Sequence, residues 1–424
     1  MLSARNVFER PQLQLLAKES LQYFLSKTIS ALCGISVVIV LMVRLGSSSY
    51  GEFTLYWTIP LLVSNVCSTW IVQSILRFQS GHSPKNTSTI RSSAILTICV
   101  ACASSGLILS LVHAGIEFSL WLNLSLLSGT MVFASVNLTL LQSQFQGAIY
   151  AFLSAGRAIM AYLLPAGLIF FWSTQWSYWP VIVLATIGNL IFGTWAAHLS
   201  RKSPELRRSN GWIEEEVFFK YLRFGLPLSA WMLLAMLIEY MDRFIVESML
   251  GLGVAGTYAA VYDVVYKGTV FLLAPINMAA HPRIMSYANE GNKTGLRASQ
   301  YSAIVAQIII GLGIALMVLL LSHFAFDNTQ TDMPDSLLIL LLVTSGVVWQ
   351  VAMLLHKTVE VLGKVIHLVG TITIAMLTNF TILLLFVPTH GILAAAFAMV
   401  ISGVVYCISV VILNWITTPV TNGK

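Results

Sequence analysis

Apolar residues in this chain come in runs of roughly 20, and polar residues collect in short breaks between them. A helix needs about 20 mostly apolar residues to cross the ~30 Å hydrocarbon layer of a bilayer. On that rule the pattern predicts twelve spans, over residues 22–43, 52–76, 93–113, 118–140, 148–172, 179–199, 225–248, 254–279, 300–322, 336–356, 366–387 and 391–416. Ahead of them, Phe8 to Ser20 is mildly amphipathic and reads as a short helix lying on the membrane surface. The first apolar run is full length and follows a polar-to-mixed stretch, so no cleavable signal peptide is expected. The polar break at 200–224 splits the pattern into two sets of six. The expected organisation is an N-terminal six-helix lobe over 1–200, a linker over 201–222 and a C-terminal six-helix lobe over 223–424. Glu214, Glu215 and Glu216 in that break read as solvated surface. The longest break on the other side, 323–335, is too short for a catalytic domain.

Composition agrees with this pattern. Hydrophobic residues make up 57% and charged residues 9%, against about 45–50% and 25% in soluble domains. The fold class is therefore an all-α polytopic membrane protein. Cys33, Cys67, Cys99, Cys102 and Cys407 all fall in apolar runs, with neither the loop pairing of a disulfide framework nor the spacing of a zinc site. Cys99 and Cys102, three apart, read as packing residues. The histidines are scattered, and no metal-ligand spacing appears.

The net charge of +6 acquires a meaning from where the basic residues fall. Of 23 Lys and Arg, Arg44 alone sits in the breaks on one side, beside acidic residues such as Glu117, Asp327, Asp332 and Asp335. Lys27, Arg157, Arg243 and Lys267 lie inside spans, and the remainder fall in the breaks on the other side. Basic loops stay in the cytoplasm, so both termini are expected there. This bias accounts for the basic balance as a topology signal, and no nucleic-acid partner is expected.

A repeat joins the two sets of six. Leu45-Gly46-Ser47-Ser48-Ser49-Tyr50-Gly51-Glu52-Phe53 follows the first span, and Leu250-Gly251-Leu252-Gly253-Val254-Ala255-Gly256-Thr257-Tyr258 follows the seventh. Both read L-G-x4-G-x-aromatic at an offset of 205 residues. Arg77 and Arg283 occupy similar places one span later. Six spans separate the copies, so they run through the membrane in the same direction, as in parallel repeats related by an axis along the membrane normal. The glycines suit a tight reversal.

Ionisable residues inside spans are costly, about 2.5–3.5 kcal/mol each on insertion scales, and usually face a bundle interior. By the 1.5 Å rise per residue, Lys27 lies about 8 Å, Arg157 about 14 Å and Lys267 about 18 Å from the inner ends of their helices, and Glu239 and Asp263 about 14 Å from the outer ends. The cations tend inward and the carboxylates lie at mid-depth or beyond. That polarity fits an anionic group met from the inner side. Arg157, Lys27 and Lys267 are the candidates for binding it, Glu239 and Asp263 for ion coupling, and Asp242 with Arg243 for an outer gate. Glu239 and Arg243 are four apart, as are Asp263 and Lys267, so each pair is also expected to neutralise itself. Lys27 is also placed to snorkel to the inner surface. Arg157 has no acidic residue within four positions. Pro60, Pro165, Pro227 and Pro275 lie in spans, where proline can kink a helix. Trp172, Trp176, Tyr178 and Trp179 read as an interfacial aromatic belt.

The two six-span sets, Arg44-Leu45-Gly46 with Tyr50-Gly51-Glu52-Phe53, and the later block resemble one family. That block comprises Arg223-Phe224-Gly225-Leu226-Pro227, Asp242-Arg243-Phe244-Ile245, Leu250-Gly251 with Gly256-Thr257-Tyr258, and Pro275 with Pro282. The family is the Wzx-type O-antigen and polysaccharide flippases of the multidrug/oligosaccharidyl-lipid/polysaccharide exporter superfamily. The resemblance covers most of the chain in architecture and the two hairpins in motif. It implies a multi-pass protein of the bacterial inner membrane that moves undecaprenyl-pyrophosphate-linked glycan by alternating access. It implies no covalent chemistry and no cofactor, a coupled H⁺ or Na⁺, and work beside the glycan polymerase and glycosyltransferases of its pathway. Peptidoglycan-precursor flippases typically have fourteen spans, two more than expected here. A drug exporter of the same superfamily and a membrane glycan polymerase are the rival readings. The first often carries cations, which three interior cations suit poorly. The second usually needs a sizeable outer loop.

Overall fold

A computed structural model describes residues 10–79, 87–113, 115–144, 146–172, 177–200, 214–289, 292–326, 336–361 and 365–417. Every regular element among them is helical. The helices are α1 (Arg10–Gln79), α2 (Thr87–Val112), α3 (Phe118–Ser143), α4 (Gly147–Ala158), a π-helical segment (Ile159–Leu163), α5 (Leu164–Trp172) and α6 (Trp179–Ser200). They continue with α7 (Glu215–Leu250), α8 (Leu252–Asn289), α9 (Lys293–Phe326), α10 (Ser336–Val361), α11 (Val365–His390) and α12 (Ile392–Thr417). Among the described residues, 11 helices are long and apolar enough to cross a membrane, counting α4, the π-helical segment and α5 as one. The first of these, Phe24–Gln79, has 56 residues, about 84 Å of helix against a layer of about 30 Å. It is two spans in succession, because Gly46 (φ 83°, ψ 171°) leaves helical geometry within it. The expected twelve spans and the 11 apolar helices therefore differ at this break. Arg10 to Ser20, expected as a separate surface helix, is the first part of α1; Phe8 lies outside the described residues.

Gly251, with φ 91°, stands alone between α7 and α8. Gly46 and Gly251 thus both take a positive φ at equivalent places in the two repeat copies, one that other L-residues reach only with strain. Pro165 removes a backbone donor beside the residues of the π-helical segment, where Leu164 N–H bonds Ile159 O. The wider π turn is the local adjustment to that proline.

The chain divides into two compact units: residues 1–44 with 56–229, and 45–55 with 230–424. The linker expected over 201–222 is described only from Glu214 onward, and Glu215 to Leu222 are the first turns of α7. The division falls inside α7, and the stretch after Gly46 groups with the second half of the sequence.

In the first unit α3 packs on α2 and α6, and α4 on α6. Small residues let these backbones approach. A Cβ on Gly193 would meet the Phe133 ring, one on Gly156 the Phe192 ring, and one on Gly129 the Cys102 sulfur. Cys102 is thus a packing residue, whereas Cys99 is exposed on the helix surface. In the second unit α12 packs on α10 and α11, and α8 on α9 and α10. Its core combines Ala394, Ala395, Ala396 and Ala398 with Tyr258, Tyr262 and Tyr406. Large apolar side chains such as Leu111, Phe171, Leu312 and Trp415 are exposed, as expected of faces that meet lipid tails.

Candidate functional site

The charged residues of α7 and α8 form one cluster in the second unit. Asp242 is fully buried and Arg243 is 3% exposed. Arg243 Nη2 donates to Asp263 Oδ1 at 2.6 Å, and Lys267 Nζ lies 2.8 Å from the same oxygen. Tyr50 donates its phenolic O–H to the other oxygen, Asp263 Oδ2, at 2.7 Å. Asp242 accepts from the Arg243 backbone N–H on Oδ1 and from the Tyr258 hydroxyl on Oδ2. The Arg243 guanidinium also lies over two rings, 5.1 Å from the centre of Tyr240 and 5.3 Å from that of Tyr262. Lys267 Nζ is 5.1 Å from the Tyr240 ring centre. These ring faces offer a desolvated cation part of what water would have given it.

One of the two expected pairings along the helices is present. Lys267 reaches back one turn to Asp263. Arg243 does not take Glu239; it crosses to Asp263 on the next helix. Side chains on a helix lean toward its N-terminus. On α7 this carries Arg243 away from the Gly251 turn, and on α8 it carries Asp263 toward it, so the two converge. Among the described residues no ion pair joins Glu239, which is half-buried.

Arg157 and Lys27 lie in the first unit. Lys27 is exposed, one residue after the buried Ser26. Arg157 is the last basic residue of α4, directly before the π-helical segment. Its Nη1 donates to Asn189 Oδ1 on α6 at 3.0 Å, and its buried Nε has no partner among the described residues. No carboxylate among them lies within ion-pair distance of this guanidinium. Beyond the π-helical segment's Tyr162 stands Trp57, with ring centres 5.8 Å apart. Of the three cations expected to receive an anionic head group, Lys267 is committed to Asp263 and 37% exposed. Arg157 is half-buried and Lys27 open.

Charge alone did not reveal Tyr50, Tyr258 or Asn189. The four-residue spacing of Tyr258, Tyr262 and Tyr266 around Asp263 is the signal that marks the tyrosine face. Tyr50 stands inside the repeated glycine motif itself. Trp176 of the expected aromatic belt lies outside the described residues; Tyr178 is buried against Tyr56, with ring centres 6.2 Å apart.

The described residues form helices long and apolar enough to cross a membrane, with charge buried among them, and solved structures of membrane transporters share this fold. A MOP superfamily transporter from Pyrococcus furiosus matches with a TM-score of 0.68 at 13% identity, over 95% of each chain. The lipid II flippase MurJ in an inward closed conformation matches at 0.67 and 13% identity, over 93% of this chain and 87% of that one. A multidrug resistance MATE family transporter in an outward-facing conformation matches at 0.67 and 12% identity, over 95% and 94%. At such identities the likeness is one of fold. A family profile described as polysaccharide biosynthesis protein matches residues 16–288, and the chain belongs to that family. No curated protein matches it by sequence.

Proposed function

We propose that this protein is a flippase. It carries an undecaprenyl-pyrophosphate-linked oligosaccharide, an O-antigen or related polysaccharide repeat unit, across the bacterial inner membrane by alternating access. Transport proceeds without covalent chemistry and is coupled to H⁺ or Na⁺ at Glu239 or Asp263, with both termini in the cytoplasm. The family and the lipid II flippase among the similar folds support the cargo class.

The observation that carries the reading is Arg157. A guanidinium in a membrane span, half-buried, with no partner for its Nε and no carboxylate at hand among the described residues, is a cation kept for an anion that arrives from outside the protein. Guanidinium matches phosphate with paired donors. Asn189 fixes one side of the group and leaves Nε free to donate. Lys267 and Arg243 serve the coupling cluster, and Lys27 meets the head group near the inner surface.

The test is lipid-linked glycan flipping in proteoliposomes. Arg157→Ala is expected to lower transport about 10–100-fold, the worth of a hydrogen bond to a charged group at 1.5–3 kcal/mol. Arg157→Lys is expected to recover part of it. Wild-type flipping by Arg157→Ala would remove the central role, and export of a cationic drug in place of the glycan lipid would favour the drug-exporter reading.

A further inference from the structure

One contact of the α7–α8 cluster has no part in the reading above. Tyr50 belongs to the first repeat copy and is almost wholly buried. Its hydroxyl nevertheless bonds a carboxylate 213 residues further on. The two oxygens of Asp263 divide their partners. Oδ1 faces the cations Arg243 and Lys267, and Oδ2 faces the phenol of Tyr50.

The residue after Tyr50 is Gly51, where the two repeat copies cross. A Cβ on Gly51 would meet Leu252 O and stand 3.1 Å from Gly256 N. A Cβ on Gly256 would meet Ser47 O and stand 2.8 Å from Gly51 N. Ser47 and Leu252 are equivalent in the repeat, as are Gly51 and Gly256. The crossing is therefore a two-fold contact through paired glycines, with backbone against backbone. Glycines supply no side chains to interlock, so the strength of the crossing depends on what lies beside it. Tyr50 is a polar tie beside it.

We propose that Tyr50 is a positioning residue that fastens this crossing to the charge on Asp263, so that neutralising the carboxylate loosens the outer contact between the repeat copies. The proposal rests on the transport reading, in which Asp263 is a coupling group and the Gly46 end faces outward. A phenol donating to a carboxylate makes a charge-assisted bond, roughly twice as strong as its neutral counterpart. With Oδ1 held between two cations, an added proton goes to Oδ2, where it occupies the direction along which Tyr50 donates. The phenol can then only accept from the acid O–H, and the bond falls to its weaker neutral counterpart. The groups that face or flank this carboxylate are Arg243 and Tyr240 of α7, Lys267 and Tyr262 of α8, and Tyr50 of α1. The neighbouring carboxylates are Asp242, held by Tyr258, and the half-buried Glu239.

The test is hydrogen exchange of the whole protein in lipid nanodiscs, without substrate. Tyr50→Phe removes one oxygen and keeps the ring. It is expected to speed amide exchange about tenfold in peptides covering 47–56 and 252–260, the loss expected of one charge-assisted bond. Asp263→Asn takes the charge from that bond and from both ion pairs, so its effect should be at least as large, and adding Tyr50→Phe to it should add nothing, because the charge-assisted bond is already gone. In proteoliposomes Tyr50→Phe should lower the response of turnover to the ion gradient and leave the KM for the carried lipid unchanged. Wild-type exchange in Tyr50→Phe, or additive effects in the double variant, would overturn the proposal. If Asp263→Asn fails to fold, Tyr50→Phe decides alone. The exchange readout needs no cargo: with exchange as expected and no glycan flipped by the wild type, the cargo reading fails and the fastening stands.

Discussion

Two acidic residues 21 positions apart have opposite surroundings. Asp263 holds two cations on one oxygen, whereas Asp242 is fully buried and held by a hydroxyl and a backbone N–H. Removing a partner from a buried ion pair costs about 3–5 kcal/mol, because the other charge is left desolvated. Asp263→Ala strands Arg243 and should lower the melting temperature in detergent sharply. Lys267→Ala, at a side chain 37% exposed, should cost about 1 kcal/mol or less. Equal losses from the two would mean that Arg243 has another counter-charge. At Asp242, alanine leaves the buried Tyr258 hydroxyl without its acceptor, a cost of about 1–3 kcal/mol; asparagine keeps an oxygen there and should recover most of it. These partnerships were only partly legible in the sequence. Spacing of four found Asp263 with Lys267, but it proposed Glu239 for Arg243. Choosing between Glu239 and Asp263 requires the rotation of α7 and α8 about their axes. Helices apolar on every face do not reveal that rotation, because lipid accepts any of those faces.

At the scale of elements, the repeated glycine motif carried more than it first showed. Gly46 and Gly251 were legible as reversal points, and both take positive φ. The second glycine of each motif serves a different need, the crossing of Gly51 with Gly256, which no spacing rule within one copy would reveal. The two kinds of glycine should therefore fail differently. Alanine at Gly46 or Gly251 has open space around its Cβ and pays the strain of a positive φ, about 1–3 kcal/mol. Alanine at Gly51 or Gly256 drives a methyl group into the opposite backbone, an overpacking cost of typically 1–3 kcal/mol, and parts the helices. Both should lower the melting temperature, but faster exchange across 47–56 and 252–260 together should follow only from Gly51→Ala or Gly256→Ala. The π-helical segment was less legible. Pro165 marked a disturbance in that span, but the same proline is compatible with a plain kink.

For the whole molecule, hydropathy resolved the spans because the bilayer imposes one length on every helix. It did not resolve how the chain divides. The polar break near the middle suggested a boundary between two halves, whereas residues 45–55 group with the second half and the start of α7 with the first. The reason lies in packing. Gly51 stands on Gly256, and at the other end of the same helix Gln79 bonds the Tyr221 hydroxyl at 2.6 Å while Trp70 backbone closes on Gly225. The orientation of these ends is open to a direct test. Arg44 is the lone basic residue near the Gly46 end, and its guanidinium bonds Phe170 O at 2.7 Å. Arg77, Arg91, Lys220 and Arg223 cluster toward the other. The proposed orientation, with basic loops retained in the cytoplasm, has Gly46 and Gly251 together on the outer side, since six spans separate them. Cysteines placed at the exposed Ser48 and Thr257 should react in intact cells with a membrane-impermeant maleimide. One at the exposed Glu216 should react only after lysis. Reaction of Glu216→Cys alone in intact cells would invert the molecule, and with it the direction in which Arg157 could deliver an anion. Labelling of only one of Ser48→Cys and Thr257→Cys would mean an odd number of spans between two glycine turns that pack against each other, which their shared crossing forbids.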